Sequence, residues 1–245
     1  YNPTMFLKTI HRQALNSPII QLSMNVRKNG FIPRNTIFSE RVFKIPYYMS
    51  QCHKIIDSVD FINDDVIILC GFNVSRCSLN KMIRTKLDFT IKEPYLSEKV
   101  ICLKNNHSLK LMNGQIGKVL WVSPIENNLI KLLVEVDNEI YDCCANTATF
   151  GEAVYQFNNY DQSPRERYKK NSMKKKSLEL GFDQIDYFDY GYSTSVHKSQ
   201  GSEWDKVIVI EQRSKHWDDN FYRRWLYTAV TRAKESLMIV SDFNG

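Results

Sequence analysis

The sequence predicts an α/β fold: a parallel sheet with helices on both faces, interrupted by a small antiparallel β-barrel. Three observations lead there. Short runs with apolar cores recur at Val66–Cys70, Lys206–Glu211 and Ser236–Val240, each the pattern of a buried strand. Stretches of helical period flank these runs, as in strand–helix units of a parallel sheet. Between residues 98 and 147 the period changes to short strands rich in Val, Ile and Leu, with turn pairs at Asn113-Gly114 and Asp137-Asn138.

The elements run in this order. Ser17-Pro18 opens a helix, since Ser suits the cap and Pro the first helical position. Ile19, Leu22, Ser23 and Val26 then share a face, and Gly30 supplies the stop. Met49, Cys52, Ile55, Ile56 and Val59 repeat at helical spacing. After the strand at 66–70, Asn73 is placed to cap a helix carrying Cys77, Met82 and Ile83 toward the core. Strands are expected over Glu98–Lys104, Gln115–Ser123, Leu129–Val136 and Glu139–Cys143. A helix is expected from Asp219 to Ala233. The boundaries that result are 1–92 and 183–245 for the parallel-sheet domain, 98–147 for the barrel and 148–182 for a basic connection.

Composition is that of an ordinary globular chain of 245 residues, 43% hydrophobic and 24% charged. No stretch approaches the roughly 18–20 apolar residues that a membrane span needs. Tyr1-Asn2-Pro3-Thr4 has none of the order of a secretory signal, and the missing initiator Met suggests an excised domain. Six cysteines without a CxxC pair argue against structural zinc and for a reducing, cytoplasmic setting without disulfides. A net charge of +6 permits nucleic-acid binding without requiring it. Much of that excess lies between Arg165 and Lys176, where a solvated surface and a phosphate contact are both open readings.

Two segments carry most of the chemistry. In Tyr227–Lys234, Arg232 and Thr228 fall on the flank of the face made by Phe221, Tyr222, Trp225, Leu226, Ala229 and Ala233. An arginine there can project past the core, and its planar, permanently charged fork suits phosphate oxygens. In Tyr192–Asp205, Gly201 ends a short helical stretch ahead of a buried strand, a turn expected at the carboxyl edge of the sheet, where open α/β domains bind ligands. Glu203 can accept hydrogen bonds from ribose hydroxyls, and Ser195, His197 and Lys198 can meet a phosphodiester backbone.

These segments, in this order, resemble motifs V and VI of superfamily 1 DNA helicases of the RecD and Dda kind. His11-Arg12-Gln13 followed by Ser17-Pro18-Ile19 resembles their motif IV, Leu69–Asn73 and Leu79–Arg84 their linking strand and helix, and Asn113–Gly117 their inserted SH3-like barrel. The resemblance implies a RecA-like second motor domain. Arg12 and Arg232 would act as arginine fingers on ATP, with Gln13, Gly201 and Glu203 lining the nucleotide. Asn73, Ser195, His197 and Lys198 would touch single-stranded DNA. Ser195 stands where many relatives have Thr and keeps the hydroxyl. The chain has no GxxxxGK[ST] loop, so ATP and Mg²⁺ are expected to be held mainly by a preceding RecA-like domain of the same protein. The resemblance further implies a monomeric 5′→3′ helicase of a bacterial or phage-infected cell, inactive as this fragment alone. A non-catalytic nucleic-acid-binding module of the same fold is the alternative.

Overall fold

The computed structural model describes residues 17–47, 49–153 and 164–241. The motif around Arg12 and Gln13 lies outside the described residues. The chain opens with α1 (Pro18–Asn29), β1 (Ile37–Ser39), β2 (Val42–Ile45), α2 (Met49–Ser58), β3 (Val66–Cys70) and α3 (Asn73–Lys86). The middle contributes β4 (Lys99–Cys102), β5 (Ile116–Val122), β6 (Leu129–Val136), β7 (Glu139–Asn146) and α4 (Pro164–Glu179). It closes with β8 (Phe188–Tyr190), β9 (Ser193–Ser195), β10 (Trp204–Ile210), α5 (Asp219–Val230) and β11 (Ala233–Val240).

Two sheets result. The first has the order β1-β2-β11-β10-β3-β9, parallel throughout except for the β1–β2 hairpin. The apolar strands alternate their side chains between its faces. Ile67, Leu69, Val207, Val209, Leu237 and Ile239 pack against α1 and α5; Val66, Ile68, Cys70 and Ile208 pack toward α2, α3 and the second sheet. This is the expected fold class.

The second sheet is antiparallel, in the order β7-β6-β5-β4-β8. It takes in one strand more than the sequence indicates, because Phe188–Tyr190 pairs with β4 instead of joining the parallel sheet. A bridge between Ala145 and Asp186 ties the far strand β7 back to the approach to β8. The Asp186 carboxylate accepts from Cys144 N–H at 3.1 Å and from Asn106 Nδ2 at 2.8 Å. Burial pushes that carboxyl up to about 6. Strand β7 also runs three residues past its expected end, to Asn146, pairing with β6 along its full length.

Two local expectations are corrected. The cap position of α3 falls on Phe72, in extended conformation, with Asn73 as the first helical residue. Helix α5 stops at Val230, and Ala233 opens strand β11 opposite Trp204, so it does not extend the helical face. The connection after 148 contains a helix, α4, most of it polar, which rests on the antiparallel sheet through Met173 against Leu129 and Cys144. Lys176 pairs there with Glu126 at 2.9 Å, while Lys174 and Lys175 face solvent. The other boundaries agree closely, including α1, whose last turn closes with Gly30 N–H on the Val26 carbonyl at 2.8 Å.

Helix α3 joins the two sheets with a polar stripe. Arg76, Asn80 and Arg84 recur every fourth residue and are all buried. Arg76 pairs with Asp189. Asn80 donates to the Tyr190 carbonyl at 3.1 Å and accepts from Ser193 N–H at 2.8 Å. Arg84 meets Glu98 at 2.7 Å and lies 3.9 Å from the centre of the Tyr190 ring. No helix among the described residues is long and apolar enough to cross a membrane.

Candidate functional site at the two ends of the parallel sheet

The expected site residues separate into two groups at opposite ends of the sheet. Strand β9 ends at Ser195, level with Cys70 at the carboxyl end of β3. From there a compact helical turn begins, with Lys198 and Ser199 N–H groups both on the Ser195 carbonyl at 2.9 and 3.1 Å. Gly201, at φ +92°, breaks that turn. The chain then descends to Trp204, which lies opposite Ala233 at the amino end of β10 and β11. The Gly201 turn was expected at the carboxyl edge; the short crossover delivers Ser202 and Glu203 to the amino edge instead.

Arg232 is at that amino edge. Its Nη1 donates to the Ser202 carbonyl at 2.9 Å, its Nε to the Thr228 carbonyl at 3.1 Å and its Nη2 to Thr231 Oγ1 at 3.1 Å. Its own carbonyl accepts from Trp204 N–H at 2.9 Å. The end of α5 and the glycine turn are thus tied into one structure, with Arg232 half-buried between them and Glu203 beside it in sequence to Ser202. Among the described residues, nothing lies within 4 Å of where a Gly201 side chain would begin, so the backbone there is open to approach from them. Next to this group, Lys234 bridges Asp205 at 2.6 Å and Asp65 at 3.4 Å. The bond to Asp205 raises the Lys234 pKa. The site thus presents open backbone at Gly201, the Arg232 guanidinium as a donor and the Glu203 carboxylate as an acceptor.

At the carboxyl end stand Ser195, His197 and Asn73. Ser195 is only 8% exposed, whereas His197 and Asn73 are open to solvent. Lys198 departs from its neighbours. Its side chain is partly buried, and burial, helped by the Arg76 guanidinium, lowers its ammonium pKa. A Cβ on Gly114, at φ +92°, would stand 2.8 Å from the Lys198 carbonyl, so the Asn113-Gly114 turn fits against this segment only without a side chain. The aromatic neighbours of His197 were not visible in advance. Its ring lies 5.6 Å from Phe221, which leads to Trp217 and Phe72. Each follows closely on a buried strand or opens a helix, and that position relative to a strand end was the available signal.

The parallel sheet thus carries Arg232 just past its last helix, hydrogen-bonded to the turn that follows Gly201. Residues 190–240 match the family described as the UvrD-like helicase C-terminal domain. The match spans β9, β10, α5 and β11 and both motif-bearing segments. Among solved structures, the chain is similar to a Pif1 helicase described in the unwinding of forked double-stranded DNA, with 17% identity over 97% of this chain and 49% of that one, at a TM-score of 0.49. Pif1 of Candida albicans shares 16% identity over 92% of this chain and 53% of that one, at 0.46. Pif1 of Bacteroides, solved with ADP-AlF3 and single-stranded DNA, shares 16% over 94% and 50%, at 0.43. The chain spans about half the length of each of these proteins.

Proposed function

We propose that this chain is the C-terminal motor part of an ATP-dependent superfamily 1 DNA helicase of the RecD/Dda type, moving 5′→3′ along single-stranded DNA. The observation that carries the reading is the Arg232–Ser202 bond. It fixes a guanidinium against the glycine turn at one end of the sheet, while His197 and Asn73 stand at the other end. Nucleotide and nucleic acid then have separate ends of one rigid sheet. Movement at the nucleotide end reaches the nucleic-acid end through β10 and the 196–203 crossover.

Arg232, together with Arg12, reaches the terminal phosphate and stabilises the charge that develops there, the role for which a guanidinium fork is suited. Gly201 and Glu203 lie along the sugar, with Gln13 at the nucleotide. ATP and Mg²⁺ supply the phosphoryl-transfer chemistry and are held mainly by a preceding RecA-like domain, since this chain has no phosphate-cradling loop. Ser195 and His197 contact the strand, with Asn73 beside them. Lys198 joins them through its backbone, held by the SH3-like barrel at Gly114.

The test uses the chain by itself. It binds single-stranded DNA weakly, with affinity falling steeply between about 50 and 200 mM salt, and it hydrolyses no ATP. Steady ATP turnover that Arg232→Ala abolishes would overturn the division of labour. Affinity that does not respond to salt would overturn the DNA-binding role.

A further inference from the structure

We infer that Phe72, Trp217, Phe221 and His197 form a stacking platform for the unpaired bases of a single strand. This rests on the single-strand reading above and specifies how the strand is held. Phe72, His197 and Trp217 come from the segments that leave the carboxyl ends of β3, β9 and β10, where open α/β sheets take their ligands, and Phe221 from the first turn of α5. They form a continuous row: Phe72 to Trp217 at 5.6 Å, Trp217 to Phe221 at 5.0 Å, and Phe221 to His197 at 5.6 Å. Phe72 and His197, at the two ends, are exposed; Trp217 and Phe221 are half-buried between them. Gly71 lets the backbone run close beneath the row, since a Cβ there would stand 3.2 Å from the Trp217 ring.

The charge beside the row identifies the occupant. A cleft of about 680 Å³ opens next to His197 and Phe221, and its rim carries Arg27, Arg223 and Arg224, with no carboxylate in the lining among the described residues. The nearest acid at the start of α5, Asp219, is paired with Arg213 at 2.5 Å, and Asp218 accepts from Phe221 N–H at 2.6 Å. A ligand that offers flat π-faces at intervals along a chain of negative charges matches both the rings and the arginines. Single-stranded nucleic acid has that chemistry, and stacking of this kind tolerates any base sequence.

The experiment compares two probes on the 245-residue chain: an oligothymidylate of about 12 nucleotides and an abasic deoxyribose-phosphate strand of equal length. The parent chain binds the oligothymidylate more tightly. Phe72→Ala and Trp217→Leu each weaken that binding by about tenfold, and leave abasic binding and the salt slope as they were. Trp217→Phe restores it. Arg224→Ala weakens both probes and lowers the salt slope by about one. Phe72 is exposed, so its replacement leaves the core intact. If Phe72→Ala and Trp217→Leu bind oligothymidylate as the parent does, the row is packing only and the platform is refuted, while the single-strand reading stands. If the parent binds neither probe, both fail.

Discussion

On one face of the parallel sheet, Leu22 and Val26 of α1 meet Trp225, Leu226 and Ala229 of α5 over the apolar strands. On the other, α3 turns Arg76, Asn80 and Arg84 inward, onto Asp189, the backbone at 190–193 and Glu98. Both faces are buried and both are specific, by different means. The α1/α5 face is held mainly by area removed from water, which is non-directional. The α3 face is held by charges and amides whose partners must all be present, because each one left alone in the interior is costly. The apolar face can lose volume and settle. The polar face fixes one orientation of the antiparallel sheet against the parallel one.

The comparison can be broken in steps of decreasing size. Arg84→Met strands the Glu98 carboxylate, whose pKa burial already raises, and lowers stability by about 3–5 kcal/mol. Adding Glu98→Gln recovers most of that loss in chemical denaturation; failure to recover would show that Arg84 acts through volume alone. Leu226→Ala, fully buried under α1, costs about 3 kcal/mol, and no second substitution is expected to recover it. Asp186 gives a pH effect of a couple of kcal/mol at about 1.4 kcal/mol per unit. Its folded-state pKa, about 6, lies above that of the unfolded chain. Its contribution is therefore full below about pH 4 and is lost as pH rises through 6. Melting temperatures across this range should fall in the parent and flatten in Asp186→Asn; equal slopes would exclude the assignment. Smallest is Asp218→Ala, which removes the cap on Phe221 N–H and costs about 1 kcal/mol.

The same contrast explains what could be read in advance. Helix α1, strand β3 and the α5–β11 pair follow from apolar period and turn residues, signals that depend on burial against a generic neighbour. Arg76, Asn80 and Arg84 read as ordinary polar positions of a helix, because their partners lie 14 to 113 residues away in sequence. Phe188–Tyr190 falls within the span assigned to the parallel-sheet domain, since three residues of strand carry no mark of which sheet they join. At the site, Arg232, Gly201 and Glu203 were legible as chemistry. Their edge of the sheet was not, because the length of the 196–203 crossover decides it. Lys198 sits beside His197 in sequence, yet it is partly buried where His197 is exposed.

The central claim is that Arg232 serves the nucleotide end of the sheet and His197 the nucleic-acid end. It is tested most directly by measuring DNA-stimulated ATP turnover and single-strand affinity together, in the intact protein that carries this domain. Arg232→Ala should reduce turnover by about 10³–10⁵ with single-strand affinity unchanged. Turnover that survives within about tenfold of the parent would contradict the account.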